Sequence, residues 1–145
     1  MINEPIIVER TYNAPADRVW KAITDKSDMA KWYFQIDEFK PVVGFEFQFY
    51  GESPTKRYLH LCKVTEVVEG KKLSYTWQYE GQDNVSHVTF ELFPENNKTK
   101  VRLTHAGVEG FVSDEPDFGR ASFVQGWTEI IGTSLKQFVE SSDKA

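Results

Sequence analysis

The chain has 145 residues, a formal charge of −5, and a composition that is 40% apolar and 14% aromatic, with eleven phenylalanines and one cysteine. That length suits a single domain, 1–145, with one real core, and no lysine or arginine cluster interrupts the negative charge, which excludes nucleic acid and an anionic membrane surface as partners. Cys62 has no disulfide partner within the chain, and with no charged leader and no run near the roughly 20 apolar residues of a membrane span, cytoplasmic location is the expectation.

Residues 5–12 alternate as a strand, with Ile6, Val8, Arg10 and Tyr12 on one face and Ile7, Glu9 and Thr11 on the other. Asn13-Ala14-Pro15-Ala16-Asp17 is a turn with a helix-start signal, and Val19, Trp20 and Ile23 follow at helical spacing. Ser27 or Asp28 offers an oxygen to cap a second short helix through Met29, Ala30 and Trp32.

From Ile36 to Leu103 the period changes to two, the mark of antiparallel strands joined by hairpins. Phe45, Phe47 and Phe49 form one aromatic face. Residues 58–68 make a longer strand that carries His60 and Cys62. Glu69-Gly70-Lys71-Lys72 turns it into Leu73, Tyr75, Trp77 and Tyr79. Gly81-Gln82-Asp83-Asn84 precedes the strand of Val88, Phe90 and Leu92, and Pro94-Glu95-Asn96-Asn97 precedes that of Thr99, Val101, Leu103 and His105. Residues 107–119, rich in glycine and acid, read as a loop of the length that often forms a lid.

Residues 117–140 read as one amphipathic helix. Its apolar stripe is Val124, Trp127, Ile131, Leu135 and Phe138, widened by Ile130 and Val139. Gly126 and Gly132 each cost about 1 kcal/mol against alanine inside a helix, so close approach to a strand, or room left for something else, has to offset them. A sheet of about six to seven strands with one apolar face must curl and be covered, and only this helix is long enough to cover it. The class is therefore α+β, a curved antiparallel sheet wrapped around a C-terminal helix, with two short helices after the first strand.

The segment Asn13-Ala14-Pro15-Ala16-Asp17-Arg18-Val19-Trp20-Lys21-Ala22-Ile23-Thr24-Asp25, with Trp32 soon after, resembles the opening of the START-like, or SRPBCC, superfamily of helix-grip folds. Leu73-Ser74-Tyr75-Thr76-Trp77, Val88-Thr89-Phe90-Glu91-Leu92, Thr99-Lys100-Val101-Arg102-Leu103-Thr104-His105 and Gly126-Trp127 are similar to blocks of its branch of activator of heat-shock-protein-90 ATPase homologues. The resemblance covers nearly the whole chain and implies a helix-grip fold. Two departures are Val43-Gly44, where paired glycines are common, and Ser134, which sets a hydroxyl on the helix stripe where leucine is usual.

His105 is placed inward, either as a core histidine with a fixed partner or as an acid or base. Arg10 is either paired inward, with Glu66 as one candidate, or snorkels at the rim. His60 and Cys62 point the same way, as two metal ligands would with His105 as a third, but a buried cysteine more often acts as a small hydrophobe, and no metal is expected. No glycine loop for phosphate, dinucleotide fingerprint or nucleophile elbow is present, so neither a cofactor nor a catalytic set is assigned.

The aromatic surplus is the more informative signal. Either these rings fill the gap, or Trp32, Phe45, Phe47, Phe49, His60, Tyr75, Trp77, Phe90, His105, Trp127 and Ile131 line a pocket for a small hydrophobic molecule, lipid-like or aromatic. Ligand binding without covalent chemistry is the expected function. A chaperone-activating interaction module and a cavity enzyme of cyclase or hydrolase type are the alternatives that the resemblance implies.

Overall fold

The computed structural model describes residues 5–32, 38–52, 57–81, 84–107 and 120–141. Strand β1 (Ile6–Tyr12) leads into helices α1 (Ala16–Thr24) and α2 (Lys26–Trp32). Strands β2 (Glu46–Glu52), β3 (Arg57–Val68), β4 (Lys72–Tyr79), β5 (Ser86–Glu95) and β6 (Lys98–Ala106) follow. The C-terminal rod consists of α3 (Arg120–Glu129), a π-helical turn (Ile130–Ser134) and α4 (Leu135–Ser141). The six strands form one antiparallel sheet in the order β1-β6-β5-β4-β3-β2. Residues 108–119 of the expected 107–119 loop, and the segments 33–37, 53–56 and 82–83, lie outside the described residues.

Period-two alternation sets which face is buried. Leu73, Tyr75, Trp77 and Tyr79 of β4, Val88, Phe90 and Leu92 of β5, and Val101, Leu103 and His105 of β6 all turn inward. Outward positions of β1, β5 and β6 carry charge instead, with Arg102 bonded to Glu9 and near Glu91. The turn after β3 places Gly70 at φ +78°, a left-handed conformation that favours glycine. Gly44, from the departing Val43-Gly44 pair, has φ +94° and donates its N–H to Val64 O.

Capping of α2 differs from expectation. The first-turn amide of Asp28 donates to Asp25 Oδ2 at 3.0 Å, so Asp25 is the cap. Asp28 is instead buried and accepts from Arg18 at 3.2 Å, and the Arg18 guanidinium also lies over the Phe138 ring. One arginine thereby joins α1, α2 and α4.

The rod's stripe is also corrected. Its buried members are Phe123, Trp127, Ile131, Leu135 and Val139, whereas Val124 is 38% exposed and Phe138 half-buried. These five are spaced strictly by four. At about 100° per residue, each step of four overshoots a full turn by roughly 40°, and roughly 160° would accumulate from first to last. The π turn, with i→i+5 bonding, winds less per residue and takes back part of that drift. Ser134 is half-buried rather than sealed in the core.

Tyr12 and Arg10 of β1 engage this turn. The Tyr12 side chain is fully buried and donates its hydroxyl to Ile131 O at 2.5 Å; burial raises the phenol pKa, so the donor keeps its proton. Arg10 is exposed, donates to Glu9 O, and passes close enough to Gly132 that a Cβ there would meet its Nε at 3.3 Å. Gly132 is thus explained by close approach. The Arg10–Glu66 pair does not form: β1 and β3 lie far apart in the sheet, and Glu66 pairs with Lys72.

Gly126 has no such neighbour among the described residues, since a Cβ there meets nothing within 4 Å. Gly126→Ala is therefore expected to raise the unfolding free energy by about 0.5–1 kcal/mol, seen as a higher urea midpoint at unchanged slope; a loss would reveal a packing role for the glycine.

Candidate functional site

Eight of the candidate residues form one continuous set of ring contacts on the inner face. Phe47 meets Phe49 and Tyr75 with centroids 6.4 and 5.1 Å apart. Phe49 stacks on His60 at 4.6 Å, and Trp77 stands on edge to both, at 5.7 Å from Phe49 and 4.7 Å from His60. Trp77 also lies 5.2 Å from His105 and 5.5 Å from Trp127, which in turn touches Phe90. Among the described residues, Phe45, half-buried, joins this set through Phe39, which packs on both Phe45 and Phe47.

Trp32 and Ile131 are buried but hold other elements together. Trp32 Nε1 donates to Ala22 O at 2.7 Å, tying α2 to α1, and Ile131 supplies the carbonyl taken by Tyr12. Four members of the site were not among the sequence candidates. Phe123 contacts His105 and Tyr79, Tyr79 contacts His60, and Ser86 bonds His105. Tyr79 shares the parity of Tyr75 and Trp77, and Phe123 lies one turn before Trp127, so both were within reach of the pattern. Phe39 sits outside any regular element and carried no periodic signal.

His105 is the most constrained residue of the set. An indole nitrogen only donates, so Trp127 Nε1–H at 2.9 Å makes His105 Nδ1 an acceptor. The neutral ring then carries its proton on Nε2 and donates it to Ser86 Oγ at 2.7 Å, and Ser86 Oγ–H donates to Trp77 O at 3.1 Å. Every group in this relay is used. Burial, with further contributions from nearby His60 and His87, pulls the His105 pKa down to about 3. Such a residue fixes the helix to the sheet, and to accept or give a proton it would have to break a bond that holds Trp127 or Ser86.

Cys62 is buried, with its thiol pKa raised by desolvation, and it behaves as a small hydrophobe. Among the described residues no three His, Cys, Asp or Glu side chains converge as metal ligands, and no helix is long and apolar enough to cross a membrane.

A groove of about 750 Å³ lies on the opposite, outer face of β2, β3 and β4, along Gln48, Leu61, Lys63, Thr76 and Gln78. It is open, its lining mixes apolar and polar residues, and it is not the space between sheet and helix. Among the described residues, the inner face carries the rings set out above.

Sheet, rod and aromatic interior together define a helix-grip α+β protein. The family model described as Activator of Hsp90 ATPase homolog 1-like protein matches residues 13–140, and the chain belongs to that family. Protein MLL2253 from Mesorhizobium loti is 30% identical, with 96% of this chain and 98% of that one aligned at a TM-score of 0.78. Protein BH1534 from Bacillus halodurans is 29% identical over 94% and 96% of the two chains, at a TM-score of 0.73. The Aha1 dimer from Colwellia psychrerythraea shares the fold at 22% identity, 97% and 98% coverage and a TM-score of 0.70. A search of curated proteins returned no match.

Proposed function

We propose that this protein binds a small, largely apolar or aromatic molecule between the inner face of the sheet and the C-terminal rod, without covalent chemistry. The observation that carries this reading is the wall at the β2–β4 end of the sheet. There Phe47, Phe49, His60, Tyr75 and Trp77 meet ring to ring, while the rod makes its close approach at the other edge, along β1. Aromatic side chains have two rotatable bonds each, so they part and reclose around a flat guest at low entropic cost. Phe45, Phe90, His105, Trp127, Ile131 and Trp32 are the rest of the proposed lining. Resemblance to START-like proteins, which hold ligands between sheet and helix, supports the same reading.

Screening neutral lipids and polycyclic aromatics by thermal unfolding is expected to find at least one compound that raises Tm by about 3 °C or more at saturating concentration. The same site should retain a mass in native mass spectrometry of protein from its own host. A flat screen together with a bare mass would remove the proposal.

A second reading, an interaction module that stimulates a chaperone ATPase, is favoured by the family itself and by Val42 and Val43. These adjacent residues are 57% and 61% exposed at the turn before β2, the kind of apolar tip a partner covers. Failure to recover the chaperone in a pull-down, with no change in its ATPase rate, would exclude it.

A further inference from the structure

Three tryptophans are buried, and two of them donate their indole proton: Trp32 to Ala22 O and Trp127 to His105 Nδ1. Trp77 does not. It is 4% exposed, and its Nε1–H is the one buried side-chain polar atom without a partner among the described residues. On one side of it His105 has both ring nitrogens bonded, and Ser86 Oγ accepts from His105 and donates to Trp77 O. On the other side stand the steeply inclined rings of Phe49, His60 and Tyr79. A donor sealed this way forfeits its bond to water and gains nothing in return, which calls for an explanation.

We propose that Trp77 Nε1–H is the recognition donor of the ligand site, and that the ligand carries one neutral acceptor, of carbonyl type, on a flat apolar body. This rests on the binding reading above and adds the chemical class of the guest. The acceptor is neutral because, among the described residues, no lysine or arginine side chain is buried, so a carboxylate would enter without a counter-charge. Since the nitrogen is closed off, the guest reaches it by parting the Phe49–His60 stack from the Trp77 edge, a pair contributed by the neighbouring strands β2 and β3. A guest with an acceptor restores the missing bond; one of the same shape without an acceptor leaves the donor orphaned. Discrimination follows from that difference.

The test compares acetylnaphthalene with isopropenylnaphthalene, which replaces the carbonyl oxygen by a methylene, and with naphthoate. Acetylnaphthalene is expected to bind about tenfold more tightly than the alkene, and naphthoate more weakly than the ketone. In NMR spectra of the unaltered protein, the Trp77 indole N–H resonance should move downfield with the ketone only, with Trp77→Phe supplying the assignment and reducing the ketone preference to about onefold. Equal binding of ketone and alkene, or an unmoved Trp77 resonance in the ketone complex, overturns the inference and leaves the binding site standing. If none of the three probes binds and the wider screen is flat, the site itself falls and the inference with it.

Discussion

His105→Ala is expected to lower the unfolding free energy by about 3–5 kcal/mol, measured as a drop in denaturant midpoint at constant slope. Deleting the ring opens a hole between Trp77, Phe123 and Trp127, where nothing can collapse without disturbing the helix. It also removes the His105 Nδ1 acceptor from the buried Trp127 Nε1–H, a cost of about 1–3 kcal/mol. His105→Gln is the control, since a carboxamide can accept from Trp127 and donate to Ser86; it should recover part of the loss. A His105→Ala protein weakened by less than about 1 kcal/mol would show that the relay does not hold the helix to the sheet.

Lowering the pH from 7 to 4 is expected to weaken the unaltered protein more than His105→Gln, by about 3 kcal/mol. Unfolded, His105 takes up its proton near the ordinary 6.5; folded, burial holds it unprotonated down to about 3. Between those values the unfolded chain binds more protons. The contribution is therefore complete above pH 6.5, declines as pH falls through this window, and is gone below about 3. Glu9 and Glu140, whose pKa values are lowered by bonds to Arg102 and to the Asn13 amide respectively, lose stability on acidification in both proteins and cancel in the difference. Parallel stability curves for the two proteins would mean that His105 titrates normally in the fold.

Much of this architecture was legible because β-strands alternate strictly. Once Phe47, Tyr75, Trp77, Phe90 and His105 were placed on one parity, their convergence followed from antiparallel pairing, with no information on register. The rod was legible only in part. Counting at 3.6 residues per turn puts Val124 in the stripe, and nothing in Ile130-Ile131-Gly132-Thr133-Ser134 announces the wider turn that replaces it with Phe123. Polar bonds were the least accessible. That Asp25 rather than Asp28 caps α2, that Ser86 completes the His105 relay, and that Trp77 finds no acceptor among the described residues all depend on where three or four atoms meet.

The contact between Trp77 of the sheet and Trp127 of the rod has an optical consequence. Their ring centroids are 5.5 Å apart and their planes are inclined by 58°. Two indoles that close and that oblique share their ultraviolet excitations, so the pair produces a two-signed circular dichroism band that vanishes when the rings separate. The protein thus carries its own unlabelled gauge of whether the helix is seated, and that gauge is centred on the indole proposed to meet the guest.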